Sequence, residues 1–250
     1  MTIQAMIFDM DGTLVSTEYL KACSYARAIN ELLLPQGDFD ESEVIEAYKD
    51  LVCLSRQEVS LALLRRFKLE GLAQARMPEL GVSTLWESLA QARLKYYYQM
   101  LADPQVLFSH TWPHNLALLA FARQAGCRVG LATMSVRLQV VQILAILELT
   151  GVFDVIASRE DVEKPQPDLE IYLLVNKKLE TAPENCLVIE DSISGVPATL
   201  AARMLCIAVT TPMTHSFIHA GKILDERWIV DDPAQLIGVV QQMMDEAGRP

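Results

Sequence analysis

The chain has 250 residues, a formal net charge of −11 and a hydrophobic content of 51%. This composition excludes a disordered chain, and the length suits one large domain or a core with a smaller second domain. The acidic balance disfavours nucleic acid or an anionic membrane as a partner, since both bind basic surfaces.

The first part of the chain combines one strand with a long helical block. The residues IQAMIF at 3–8 predict a buried strand, and apolar spacing of three and four predicts helices over 17–34, 41–70 and 85–101. The residues QGDFDES at 36–42 predict a loop in which Asp40 or Ser42 caps the next helix. We therefore predict a helical cap domain over 16–103, inserted after the first strand.

Beyond the helical block, strands and helices alternate. Predicted strands cover 127–133, 153–158, 185–190, 205–210 and 227–232, and predicted helices cover 115–126, 137–149, 167–179, 194–204 and 233–247. Nearly continuous apolar strands between helices indicate a parallel sheet covered on both faces. The fold class is thus α/β, with a Rossmann-like parallel sheet core formed by 1–15 and 104–250.

Polar side chains follow four of the predicted strands where each strand ends. They are Asp9 and Asp11, then Thr133 and Ser135, then Lys164, then Glu190, Asp191 and Ser192. Ligands of open α/β sheets bind at this edge of the sheet. Taken singly, each of these residues could instead be a helix cap or a solvated loop residue. Four carboxylates together would repel one another, so the set predicts a hard divalent cation, Mg2+, with a phosphoryl ligand.

Four motifs in order carry a resemblance to a known family. They are DMDGT at 9–13, LATMS at 131–135, KPQPD at 164–168 and VIEDSISG at 188–195. From about residue 3 to 235 the chain resembles the haloacid dehalogenase-like superfamily. The similarity lies with the branch carrying a helical cap, which includes β-phosphoglucomutase and many sugar-phosphate phosphatases.

The resemblance implies a role for each motif residue. Asp9 matches the nucleophile that forms an aspartyl-phosphate, and Asp11 matches the general acid and base. The other matches are Thr133 with Ser135 for the phosphoryl group, Lys164 for charge neutralisation, Gly12 for the sharp turn, and Asp9, Asp11, Glu190 and Asp191 for Mg2+. Members that cleave carbon–halogen bonds lack the second aspartate, so the presence of Asp11 argues against dehalogenation.

Three further cations are predicted as substrate contacts. Arg56 matches an arginine of the β-phosphoglucomutase cap loop, and its alternative is a surface arginine at a helix start. Lys21 stands where the mutases have a histidine. The mutases also have a lysine directly after the second motif, whereas this chain has Val136 there, followed by Arg137. Cys53 replaces a cap-loop glycine of the mutases. These departures favour hydrolysis over a mutase reaction.

The prediction is a Mg2+-dependent phosphohydrolase of a small phosphorylated metabolite, with a sugar phosphate as the expected substrate class. A β-phosphoglucomutase-type phosphotransferase is the alternative, and a catalytically idle interaction protein is a third.

The five scattered cysteines predict free thiols in a reducing cytosol, and no apolar stretch is long enough to span a bilayer. We expect a cytoplasmic monomer or weak homodimer. His114 could edge the cleft, whereas His110, His215 and His219 are expected to be packing or surface residues.

Overall fold

The computed structural model describes residues 2–33, 39–52 and 54–248. Contacts divide them into two compact units. One unit contains the described residues up to Ser16 and from Pro104 onward, and the other contains the described residues of Thr17–Asp103.

The second unit is helical throughout its regular structure. Its helices are α1 Thr17–Leu33, α2 Glu41–Lys49, α3 Arg56–Arg66, α4 Glu70–Leu80 and α5 Leu85–Leu101. The predicted helices at 17–34 and 85–101 are confirmed as α1 and α5, with residue 34 outside the described residues. Asp40 is the N-cap of α2, because its side chain accepts the backbone N–H of Ser42 at 2.9 Å.

The prediction of one continuous helix over 41–70 is wrong. A capping box of Ser55 and Glu58 begins a new helix, since each side chain accepts the backbone N–H of the other residue. Lys68, with φ of 57°, takes the left-handed conformation that ends the run. The sequence prediction missed α4, whose only fully buried residue is Ala73, because a helix with so little buried surface lacks a clear apolar stripe.

The first unit is built on a parallel sheet. Its strands are β1 Ala5–Phe8, β2 Arg128–Ala132, β3 Val155–Ala157, β4 Cys186–Glu190, β5 Leu205–Val209 and β6 Ile229–Val230. They lie in the order β3-β2-β1-β4-β5-β6, and every pairing is parallel. Every residue of β1 and β4 is buried, as expected where helices cover both faces of a sheet. The predicted α/β fold class is confirmed.

Helices connect the strands of this unit. They are α6 Pro104–Ser109, α7 Pro113–Gln124, α8 Arg137–Ile146, α9 Glu170–Lys178, α10 Gly195–Ala201, α11 His215–Gly221 and α12 Leu236–Gly248. The sequence prediction missed α6 and α11. They have 6 and 7 residues and bury one residue each, Leu107 and Ile218, so no apolar period marks them in the sequence.

The register of the central strands brings the polar loop residues to one edge. Phe8, the last residue of β1, pairs with Leu131 of β2 and Ile189 of β4. The three chains therefore leave the sheet at nearly the same level. Residues that follow β1, β2 and β4 must start the same cluster of loops.

The cysteines and helices bear on two further predictions. Cys127, Cys186 and Cys206 are buried free thiols and Cys23 is a half-buried one, whereas Cys53 lies outside the described residues. Among the described helices, none has both the length and the apolar character needed to cross a membrane.

Candidate active site

The turn after β1 is tight and buried. Asp9 is only 6% exposed, and its backbone N–H donates to the carbonyl of Ile189 in β4 at 3.0 Å. Gly12 has φ of 92°, and its N–H donates to the carbonyl of Val15 at 2.7 Å. A Cβ at Gly12 would overlap the carboxylate of Asp191. Only glycine therefore fits both the left-handed backbone and the space left by the β4 loop.

The loop after β2 holds the carboxylate of Asp11. The hydroxyl of Ser135 donates to Oδ2 of Asp11 at 2.5 Å, and the hydroxyl of Thr133 donates to the same oxygen at 3.1 Å. The backbone N–H of Ser135 in turn donates to Oγ1 of Thr133 at 3.1 Å. Three residues that the sequence placed after two different strands thus meet at one oxygen atom.

The first and last motifs also meet at Asp191. This residue is 1% exposed, and the buried hydroxyl of Thr13 donates to its Oδ1 at 3.4 Å. The side-chain amide of Asn115 in α7 donates to the carbonyl of Thr13 at 2.6 Å and braces the turn. The sequence reasoning gave Thr13 no role, although it lies within the first motif. Nothing in the sequence pattern singled out Asn115.

Glu190 is buried and fully engaged by donors of the protein. Its Oε1 accepts the phenol of Tyr172 at 2.7 Å and the amide of Gln166 at 3.2 Å. Its Oε2 accepts the backbone N–H groups of Asp191 and Ser192, each at 2.7 Å. These four donors occupy the lone-pair sites of the carboxylate and hold it beside the backbone of Asp191, and the prediction of Glu190 as a metal ligand stays a prediction.

Burial also affects the ionisation of Glu190 and of its partner Tyr172. Burial raises the pKa of the Glu190 carboxyl, and hydrogen bonds from Tyr172 and Ser192 oppose part of that rise. Burial and the charge of Glu190 raise the pKa of Tyr172 well above its usual value. The phenol therefore keeps its proton and remains a hydrogen-bond donor.

Replacing Tyr172 with Phe is expected to destabilise the protein by about 2 kcal/mol, because a hydrogen bond to a buried carboxylate is lost. Urea unfolding of the variant measures this change. Tyr98→Phe is the matched control, since Tyr98 is an exposed tyrosine and should unfold as the parent protein does. Equal stability of the two variants would mean that the bond to Glu190 contributes nothing.

The predicted cations of the core lie beside other acidic residues. The ammonium of Lys164 is 3.8 Å from Oδ2 of Asp168, and the Lys164 side chain is 72% exposed. The guanidinium of Arg137 pairs with the carboxylate of Asp161. The structure thus does not bring Lys164 or Arg137 into the network of Asp11 and Thr133, and their contacts with substrate stay predictions.

The predicted cap contacts belong to the helical unit. The ammonium of Lys21 in α1 is 3.7 Å from a carboxylate oxygen of Glu18. Arg56 is the exposed first residue of α3. Their roles toward substrate also stay predictions.

The donor chemistry around β1 and β4 fits a magnesium ion. Asp9 and Asp191 are carboxylates with almost no exposure to solvent, and Asp11 is a half-buried third. A bound cation would stabilise buried carboxylates such as these, because burial disfavours their charged form. Oxygen donors of this kind are the ligands that Mg2+ prefers.

Comparisons with known proteins agree with these motifs. Residues 3–203 match the family of haloacid dehalogenase-like hydrolases. A phosphorylated carbohydrates phosphatase of Thermotoga maritima is 26% identical over 97% of this chain and 100% of its own length. Hexitol phosphatase B of Escherichia coli is 27% identical over 84% of this chain and 85% of its own length.

Solved structures show the same fold. The crystal structure of β-phosphoglucomutase from Clostridium difficile superposes with a TM-score of 0.67 at 22% identity, and the match covers 98% of both chains. At that identity the likeness concerns the fold alone. The family match spans most of the chain and includes all four motifs, so this chain belongs to the haloacid dehalogenase-like hydrolase family, as its sequence predicts.

Proposed function

We propose that this protein is a Mg2+-dependent phosphohydrolase that acts on a small phosphorylated metabolite, with sugar phosphates as the substrate class. The observation that carries the proposal is the carboxylate of Asp11, held by the hydroxyls of Thr133 and Ser135 two residues after the buried Asp9. Membership of a hydrolase family and the phosphatases of phosphorylated carbohydrates and hexitols among the relatives support it.

The two aspartates would divide the chemistry of phosphoryl transfer. A carboxylate oxygen of Asp9 forms a bond to phosphorus as the bond from phosphorus to the leaving oxygen breaks. Asp11 gives its proton to that leaving oxygen, and then takes a proton from the water that attacks the aspartyl-phosphate. Inorganic phosphate leaves and Asp9 is restored. Two hydroxyl donors on one oxygen of Asp11 fix the orientation of its carboxyl for both steps.

The proposed magnesium ligands are the carboxylates of Asp9 and Asp191 and the backbone carbonyl of Asp11, with Glu190 assisting Asp191. When bound, Mg2+ offsets the negative charge that these carboxylates and the phosphoryl group share. Glu190 supports the site by holding the backbone of Asp191, to which it is hydrogen-bonded at 2.7 Å. Lys164 is proposed to neutralise the transferring phosphoryl group, and Arg56, Lys21 and Arg137 to contact the rest of the substrate.

Phosphate release from a panel of sugar phosphates and one aryl phosphate, with Mg2+ or with EDTA, tests the proposal. We expect release that needs Mg2+ and is fastest with particular sugar phosphates. Equal release in EDTA would contradict the metal assignment. Conversion of β-glucose 1-phosphate to glucose 6-phosphate without net phosphate release would establish the mutase alternative, and no turnover of any phosphate ester would favour an idle member of the family.

A further inference from the structure

Two histidines and a carboxylate meet at the far edge of the sheet, outside the proposed active site. His215 and His219 lie one turn apart on α11, and their ring centroids are 4.6 Å apart. Asp231 directly follows β6. Its Oδ1 is 3.0 Å from Nε2 of His219 and 3.7 Å from Nε2 of His215.

Two further side chains orient this group. Oε2 of Glu226 is 3.0 Å from Nδ1 of His219, and the hydroxyl of Thr210 donates to Oδ1 of Asp231 at 2.8 Å. When a carboxylate accepts the N–H of one imidazole nitrogen, the proton stays on that nitrogen. The lone pair of the other nitrogen is then available to bind a metal. Glu226 therefore stands where an outer partner of a metal-bound histidine is expected.

We propose that His215, His219 and Asp231 form a binding site for a divalent transition-metal ion, with Zn2+ as the best match. Each of the three residues offers one ligand atom, and these atoms all lie within 4.8 Å of one another. Among the described residues, they form the group of His, Cys, Asp or Glu side chains with this spacing. Two imidazoles with one carboxylate select zinc-like ions over Mg2+, which prefers oxygen ligands alone.

Two of the three separations of the ligand atoms lie near those of a tetrahedral ion. Ligands at about 2.0–2.1 Å from zinc lie roughly 3.3 Å from one another in a tetrahedron. The distances of 3.0 and 3.7 Å from Asp231 to the two imidazole nitrogens lie on either side of that value. All three ligand atoms lie within 4.8 Å of one another, so rotations of the side chains would bring them to tetrahedral separations. The side chains of His215 and Asp231 are 57% and 48% exposed, so an ion can reach them.

The site is separate from the carboxylates of the proposed catalytic centre. It follows β5 and β6, whereas Asp9 and Asp191 follow β1 and β4. β6 is an edge strand of two residues that pairs only with β5 among the described strands. A bound ion would tie α11 to the end of this short strand, so we infer a structural role for it.

Calorimetric titration with Zn2+ tests the site, using tag-free, metal-stripped protein with excess Mg2+ to occupy the carboxylate site. The titration is made near pH 8 because the hydrogen bond to Asp231 raises the pKa of His219, so that protons compete for its nitrogen. We expect one equivalent to bind to the parent protein. Glu226→Gln should weaken binding by about 10–100-fold, and the double variant His215→Ala with His219→Ala should abolish it.

His114→Ala is the matched control, since His114 is another exposed histidine of the same unit and should leave zinc binding unchanged. Thermal melting gives a second readout: Zn2+ should raise the melting temperature of the parent protein and of His114→Ala, and leave that of the double variant unchanged. The proposal is overturned if the parent protein binds no zinc, or if the double variant binds it with the same affinity and stoichiometry.

Discussion

Asp9→Asn is expected to lower the turnover of a phosphate ester by about 10⁴-fold or more, because an amide cannot act as the attacking carboxylate. The two side chains have nearly the same shape, and Asp9 is almost fully buried, so the packing around it should persist. We therefore expect a melting temperature close to that of the parent protein, measured together with kcat.

Asp245→Asn is the control for this change. Asp245 is an exposed carboxylate on α12 in the same unit, and its replacement removes the same charge from a different surface. It should leave kcat unchanged. If Asp9→Asn retained the parent rate of Mg2+-dependent phosphate release, the assignment of the nucleophile would be wrong.

The second large effect is expected for Gly12→Ala. The left-handed backbone at Gly12 costs a residue with a Cβ about 1–2 kcal/mol. The added methyl group must also displace the carboxylate of Asp191, which would break the hydrogen bond from Thr13. Because a displacement of this size in an active site can cost about 10²-fold in rate, we expect a loss of that order in kcat/KM together with weaker Mg2+ dependence.

Gly126→Ala separates the two causes of that loss. Gly126 also has a positive φ, of 78°, but nothing lies within 4 Å of where its Cβ would be. This variant should lose only about 1–2 kcal/mol of stability, measured by urea unfolding, and keep its activity. If the two alanine variants showed the same activity, contact with Asp191 would not matter to catalysis.

The sequence was informative wherever local pattern governs structure. Strands such as β1 and β4 are buried on both faces, so their apolar runs identify them directly. Local apolar pattern did not predict the short helices α6 and α11 or the breaks around α3. Their bounds depend on single capping residues such as Ser55 and on left-handed residues such as Lys68, which a window of apolar spacing does not detect.

The sequence by itself determined the parallel α/β fold, the family and the edge of the sheet where Asp9, Asp11 and Asp191 lie, because motif order and strand ends are properties of the chain. Only the tertiary structure decided which atoms meet there. In it, the hydroxyl of Ser135 donates a hydrogen bond to Asp11, and four donors contact the carboxylate of Glu190.

The histidine pair shows the same division. In the sequence, His215 and His219 are ordinary surface residues, and Asp231 is separated from His219 by 12 positions. They meet only because β5 and β6 pair side by side and bring the helix after one strand to the end of the other. Contacts between distant positions are fixed by packing and by hydrogen bonds across the fold, and no local pattern in the chain encodes them.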